Sequence, residues 1–149
     1  MKNALSLLVV MLCLGMLSAQ TTHWGPDQNF QNNMTVLGVV LVDGTQLQNQ
    51  NVELGAFCGA ECRGAVLPSE AGGDYLYVLT VGGDNNGDEI TFRLWNHETN
   101  SELDYSCSTT VSYAIDGWLG VPPDPYFEIS FSSCAFSLNA LLSSSRFFT

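Results

Sequence analysis

The chain has 149 residues, of which 46% are hydrophobic, and its 15 acidic residues against 4 basic ones give a formal net charge of −11. Nucleic acids and anionic membrane surfaces are bound through clustered cations, and one lysine with three arginines is too few to form such a cluster. We therefore expect no nucleic-acid partner, and one domain with one core, as suits a chain of about 150 residues.

Residues 1–19 have the pattern of a secretory signal peptide. Lys2 gives the positive start, residues 4–16 form an apolar run, and Ala19 precedes the expected cleavage. The run is shorter than the roughly 20 residues of a spanning helix, so no membrane insertion is expected after cleavage. The mature protein is then expected to be secreted or displayed at the cell surface, with residues 20–131 as its domain and residues 132–149 as a short tail.

Seven or eight short strands are predicted after this leader. Residues 34–42 are apolar on both alternating faces, which is typical of a central strand. The other predicted strands include residues 52–58, 62–67, 75–81, 89–96, 107–115 and 126–131. Residues 116–125 hold three prolines and are predicted to stay outside any ladder. Short strands with regular turn signals predict an all-β, antiparallel β-sandwich, immunoglobulin-like or jelly-roll-like.

Three tryptophans and one arginine are the candidate ligand-binding residues. In residues 89–96 the alternation places Arg93 and Trp95 together on the polar face, where an indole can stack on a sugar ring or a partner side chain. The alternative for Trp95 is a covering loop or a cation–π contact with Arg93, and we favour this alternative. Trp24 and Trp118 lie in loop-like segments, where they either form a binding rim or plug the ends of the sandwich. Of these two alternatives we favour plugging of the ends.

The cysteines indicate an oxidising compartment. One of the five leaves with the leader, and an even number in an exported chain favours disulfides over zinc; the four that remain are Cys58, Cys62, Cys107 and Cys134. Three pairings of these four are possible, and we favour Cys58 with Cys62, because a three-residue hairpin loop would set its flanking residues opposite each other. The C-x3-C spacing matches zinc knuckles poorly.

The acidic turn at residues 84–89 (DNNGDE) is the candidate metal site. Asp84, Asn86 and Asp88 offer the oxygen ligands that Ca²⁺ prefers, although their spacing is not that of an EF-hand. Aspartate, asparagine and glycine are also the ordinary residues of turns. We favour the plain turn and expect no cofactor, with Ca²⁺ as the alternative.

The usual catalytic patterns are missing from the sequence. His23 and His97 are its only histidines, and it contains neither a G-x-S-x-G elbow nor an H-E-x-x-H helix. Two carboxylates across a cleft would suffice for a glycosidase, so a secreted hydrolase remains an alternative. We expect a protein that is not an enzyme.

A series of short motifs suggests a family. The motifs are Trp24 with Asp27, Asn33-Met34-Thr35, Asp43-Gly44, Gly55-Ala56-Phe57, Arg63-Gly64, GDEITFRLWN at residues 87–96, Ile115-Asp116-Gly117 and the strand at residues 126–131. In these motifs the chain resembles a small β-sandwich module of secreted and surface proteins of Bacteroidota, often found beside type IX sorting domains. The resemblance implies an exported accessory module that binds a glycan or a surface protein. A structural spacer or assembly subunit is the alternative, and the oligomeric state is left open.

Overall fold

Runs of alternating apolar residues form β-strands joined by turns rich in glycine, asparagine and aspartate. The computed structural model describes residues 21–26, 29–122 and 125–134. Within these ranges there are twelve strands: β1 (Asn32–Val42), β2 (Thr45–Gln46), β3 (Val52–Cys58), β4 (Glu61–Val66), β5 (Ser69–Ala71), β6 (Asp74–Gly83), β7 (Glu89–Asn96), β8 (Ser101–Glu102), β9 (Tyr105–Cys107), β10 (Val111–Ser112), β11 (Trp118–Leu119) and β12 (Phe127–Ser133).

The strands form two sheets that pack face to face. The larger sheet has the order β5-β6-β1-β12-β9, and the short strands β2 and β11 also pair with β1. The smaller sheet has the order β10-β7-β3-β4, with β8 paired to β7. Most pairings are antiparallel, whereas β11 and β12 run parallel to β1. The predicted all-β sandwich is therefore confirmed, with a mixed rather than purely antiparallel larger sheet.

The hydrophobic core lies between the two sheets. Every second residue of β1 points inward, because successive side chains of a strand point to opposite faces. The core residues of the larger sheet include Met34, Val36, Val40, Tyr77, Leu79, Val81, Ile129 and Phe131, and those of the smaller sheet include Val52, Leu54, Ala56, Ile90, Phe92, Leu94 and Val111. Full burial of one large aliphatic or phenyl side chain stabilises the fold by about 1.5–3 kcal/mol.

Two buried tyrosines cross-link the layers through their hydroxyl groups. Tyr77 of β6 donates a hydrogen bond to the carbonyl oxygen of Val52 in the smaller sheet at 3.0 Å. Tyr113, just after β10, donates to the carbonyl oxygen of Gly83 at 2.8 Å. Each bond satisfies a buried polar group, so both rings fill the core without an unpaired hydroxyl. Burial raises the pKa of both phenols.

The strand predictions hold best for the longest elements. Residues 34–42 lie in the central strand of the larger sheet, and residues 89–96 coincide with β7. The number of strands was underestimated, since several two- and three-residue strands carry too few residues to show alternation. The prediction that residues 116–125 stay outside any ladder is wrong, because Trp118 and Leu119 pair with Thr35 and Val36 of β1. The prolines of this segment lie beyond the two paired residues.

The predicted Cys58–Cys62 disulfide is not formed, and Cys58, Cys62, Cys107 and Cys134 are free cysteines. The β3–β4 hairpin turns through two residues with Cys58 opposite Glu61, and a register shift after Ala56 sets Cys62 opposite Phe57. Cys58 packs against the core. Cys62 lies on the opposite side of the strand pair, because neighbouring residues of a strand alternate between faces. The two thiols therefore point away from each other.

Two of the predictions made from the sequence concern the chain termini. The predicted signal peptide and residues 135–149 of the predicted tail lie outside the described residues. β12 continues to Ser133, two residues into the segment predicted as tail. The described ranges contain no helix that is long and apolar enough to cross a membrane.

Candidate functional site

An N-terminal strap, residues 21–26, lies across the outer face of the smaller sheet without joining a ladder. Trp24 lies directly over Gly55 of β3. A Cβ atom on Gly55 would be 2.5 Å from Cε3 of the indole, closer than side chains approach in proteins. Only glycine therefore leaves room for the ring at this position of β3.

The strap brings two rings onto the aromatic side chains of the sheet. His23 stacks on Trp95 with ring centroids 3.4 Å apart and planes within 2°. Trp24 meets Phe57 edge-on at 5.2 Å and Trp95 at 6.2 Å. The guanidinium of Arg93 lies over Phe57 at 4.6 Å and over Trp24 at 5.7 Å. These contacts bury the outer face of β3, whereas on β7 Trp95 is partly buried and Arg93 stays exposed.

The side chain of Glu53, on β3, holds the strap on the sheet. Its side chain is fully buried, and it is the one buried charged residue among those that the structure describes. The carboxylate accepts hydrogen bonds from the backbone N–H groups of His23 at 2.5 Å and Trp24 at 3.1 Å. His97 Nε2 lies 2.7 Å from the same carboxylate. A buried carboxylate is tolerated because these partners replace water.

Arg93 is held in place by a second acid. Its Nε donates to Glu102 Oε1 at 2.6 Å, and its Nη2 donates to Glu102 Oε2. Donation of these hydrogen bonds to Glu102 raises the pKa of the Arg93 guanidinium. Three predicted ligand-binding residues, Trp24, Arg93 and Trp95, are thus brought together on one face. The strap covers Trp95, in line with the alternative of a covering loop, and Arg93 stacks on Phe57 and Trp24.

The fourth predicted residue, Trp118, lies on the other side of the molecule. Its side chain is 67% exposed, and its register opposite Thr35 sets it on the outer face of the larger sheet. Val78 (54% exposed) is opposite Leu37 on the same face. Tyr126 (42% exposed) precedes the inward-facing first residue of β12, so alternation turns it outward. These four outward apolar side chains, Leu37, Val78, Trp118 and Tyr126, are here called the exposed face.

A groove of about 470 Å³ continues from the exposed face. Val78 belongs to both, and the groove is walled by β4, by β6 and by the segment that leads into β1; its lining includes Phe30, Asn32, Asn33, Arg63, Val66 and Thr80. β4 lies close to β6 because residue 64 is glycine, whose added Cβ would be 2.1 Å from the Thr80 carbonyl oxygen. Exposed face and groove form one continuous surface.

Arg63 is the charged residue of the groove, and nearby acids balance its charge. Its Nε lies 2.9 Å from Glu61 Oε2 and its Nη2 lies 3.7 Å from Asp88 Oδ2. The Nε–H group points at neither acid well enough for a hydrogen bond, so the contact with Glu61 is an ion pair only. The guanidinium also lies over the ring of Phe30 at 4.3 Å.

The three candidate calcium ligands perform separate tasks. Asp84 Oδ1 accepts a hydrogen bond from the backbone N–H of Gln31 at 3.0 Å, and Asn86 Oδ1 accepts one from the N–H of Ile115 at 2.7 Å. Asp88 faces Arg63. In the part of the chain that the structure describes, no three histidine, cysteine or acidic side chains are grouped to hold a metal ion. The geometry accounts for these residues as turn and bridging groups.

Several site residues were not recognised from the sequence. Glu53, Phe57 and the two histidines build the strap contact, and Tyr126 and Val78 extend the surface around Trp118. A sequence signal existed for Glu53, since it is the one charge in the strand VELGAFC. For Val78, alternation in β6 indicates the outer face, but it does not show that no neighbouring element covers this residue.

The chain has no match among protein-family models, curated proteins or solved structures. Nothing in these comparisons links it to the Bacteroidota module that its motifs resemble. Its function must therefore be inferred from the two surfaces themselves.

Proposed function

We propose that the protein is an exported, non-catalytic module that binds a neutral carbohydrate through the exposed face of its larger sheet. The observation that carries the proposal is that the three exposed large hydrophobic side chains of the described residues, Val78, Trp118 and Tyr126, share this face. Clustered exposed apolar side chains mark interaction surfaces, whereas scattered ones do not. Export is supported by the signal-peptide pattern of residues 1–19.

The chemistry of the face suits a sugar ring. Trp118 presents a flat indole from a paired strand, which holds it more rigidly than a free loop would. Trp118 lies opposite Thr35, and Tyr126 comes just before Phe127, which lies opposite Gly38; Thr35 and Leu37, the residue before Gly38, are two positions apart on β1. That spacing is roughly 7 Å, so one oligosaccharide can contact both aromatic rings.

The groove supplies polar partners next to the aromatic ones. Asn32, Asn33 and Thr80 offer hydrogen-bond donors and acceptors to hydroxyl groups. Its volume of about 470 Å³ is within the range of ordinary ligand pockets. The charge of Arg63 is balanced by Glu61 and Asp88, and the chain as a whole is strongly acidic, so a neutral ligand fits better than an anion.

The positions of the two histidines favour a role without catalysis. His23 stacks on Trp95 and His97 contacts Glu53, both on the smaller sheet and away from the groove. Neither imidazole faces the proposed ligand, where a general acid or base would need to be.

Binding of the full-length protein to an array of neutral oligosaccharides tests the proposal. We expect the wild type to bind at least one, and Trp118→Ala to weaken that binding by about tenfold, equivalent to about 1.4 kcal/mol. Trp95→Phe, on the opposite sheet, serves as the matched control and should bind as the wild type does. Binding that is unchanged in Trp118→Ala, or absent from the wild type, contradicts the proposal.

The same apolar face also suits a protein partner, which is the second candidate. Aromatic side chains dominate the centres of protein interfaces as well. If no oligosaccharide binds and Trp118→Ala converts an oligomer to a monomer in light scattering, the protein acts as an assembly subunit instead.

A further inference from the structure

We propose that the outer face of the smaller sheet is a recognition slot for a short aromatic peptide segment, and that a second copy of this chain can fill it with its own residues 21–26. The slot is formed by Glu53, Gly55 and Phe57 of β3 together with Arg93 and Trp95 of β7. The slot lies on the sheet opposite to the exposed face, although Pro26 at the end of the strap also lines the groove.

The slot is built entirely from the sheet. Glu53, Gly55 and Phe57 alternate along β3 and therefore share one face. The strand register sets Trp95 opposite Glu53 and Arg93 opposite Gly55, so the five residues form one continuous patch. Glu102 fixes Arg93 by a bidentate contact. The slot is thus preorganised by strands that remain when the strap leaves.

The slot contacts the backbone of the strap and the side chains of the strap through different residues. The Glu53 carboxylate accepts from two successive backbone N–H groups, which any peptide offers. The missing side chain of Gly55 leaves room for a flat ring at the second position, which Trp24 occupies. The Trp95 indole provides a stacking surface for a ring at the first position, which His23 occupies. The slot therefore selects two consecutive residues with planar rings.

An empty slot is energetically unfavourable. Without a strap, Glu53 loses two of its three described partners while most of its surroundings stay apolar, and an under-paired carboxylate at such a position is costly. Phe57, which is only 2% exposed, loses the cover of Trp24. A copy whose own strap cannot bind should therefore accept the strap of another copy.

The strap can move between copies more easily than a strand. The described residues 21–26 belong to no ladder, so their release breaks no strand pairing. Exchange of identical segments conserves the contacts and is a low-cost route to dimers. Within one chain the strap has an effective concentration on the order of millimolar, so the wild type should be closed at lower protein concentrations.

Two full-length variants separate donor from acceptor. Gly55→Val blocks the slot and keeps the strap, whereas His23→Ala/Trp24→Ala removes both rings of the strap, keeps its backbone N–H groups and keeps the slot. Each variant alone should elute as a monomer in size-exclusion chromatography with light scattering, and an equimolar mixture should give a heterodimer. The control mixture pairs the acceptor with His23→Ala/Trp24→Ala/Gly55→Val, which has neither strap nor slot, and should stay monomeric.

A peptide of residues 21–26 (TTHWGP) keeps the test valid if a variant does not fold. It should bind the acceptor variant at least about tenfold more tightly than TTHAGP does. If the acceptor is unfolded alone, recovery of its β-sheet circular dichroism with TTHWGP is the equivalent result. A mixture that stays monomeric, together with an acceptor that neither binds nor is refolded by TTHWGP, overturns the proposal.

Discussion

Trp24 packs so closely on Gly55 that the position tolerates no side chain: an added Cβ would lie 2.5 Å from the indole and 2.8 Å from Phe57. We predict that Gly55→Ala lowers the free energy of unfolding by about 1–3 kcal/mol, the usual cost of overpacking. Chemical denaturation measures this loss. Gly25→Ala is the matched control, since nothing lies within 4 Å of its added Cβ, and it should change stability by no more than about 0.5 kcal/mol.

Glu53 is predicted to be worth more to stability than any exposed acid. Glu53→Ala leaves the N–H groups of His23 and Trp24 without their acceptor, and each buried group left unsatisfied costs about 1–3 kcal/mol. We therefore expect a loss of about 2–4 kcal/mol in denaturant unfolding. Glu53→Gln keeps one carbonyl acceptor and should lose less. Equal losses in the two variants would mean that the remaining carbonyl acceptor and the retained volume contribute nothing, and would contradict the prediction.

Trp95 and Trp118 show which side-chain positions can be predicted from the sequence and which cannot. Strict alternation in β7 correctly places Arg93 and Trp95 on the outer face. It cannot show that His23, more than 70 positions earlier in the chain, covers Trp95, because that contact is set by the tertiary path of the strap. Trp118 was expected to plug an end of the sandwich, yet it lies exposed on β11, since a two-residue strand has no periodicity to detect.

The prediction of a disulfide between the hairpin cysteines is wrong for a related physical reason. The spacing of Cys58 and Cys62 predicted facing residues, but facing depends on register, and a single irregularity after Ala56 changes it. A one-residue shift moves a side chain to the other face of a strand. Hydrophobic patterns predict strands well. The position of a β-bulge, and the covering of a side chain by a segment distant in sequence, depend on tertiary contacts that composition does not encode.

The free cysteines lead to a prediction about alkylation. Cys134 is exposed, whereas burial raises the pKa of the Cys62 and Cys107 thiols. The thiolate is the reactive form, so a raised pKa leaves less of it at neutral pH. Under native conditions at pH 7.5, iodoacetamide should modify Cys134 first, and the rates at Cys62 and Cys107 should rise with pH. Peptide mass spectrometry measures each site, and non-reduced protein with Cys58 linked to Cys62 would contradict the structure.

Tyr77 leads to a prediction about alkaline pH. Burial raises the pKa of its phenol, so the folded protein keeps the proton at a pH where the unfolded chain, with an ordinary tyrosine pKa of about 10, releases it. Above about pH 10 the unfolded state then binds fewer protons than the folded state. The contribution of Tyr77 to stability is therefore complete below about pH 10, and the free energy of unfolding falls as the pH rises further. Tyr77→Phe removes this contribution and should show a shallower decline between pH 9 and 11. At pH 8 the variant should be about 1 kcal/mol less stable, because the Val52 carbonyl loses its donor. Denaturant unfolding of both proteins across this range, with the exposed-side-chain variant Val78→Thr as control, decides the outcome; parallel declines would contradict the prediction.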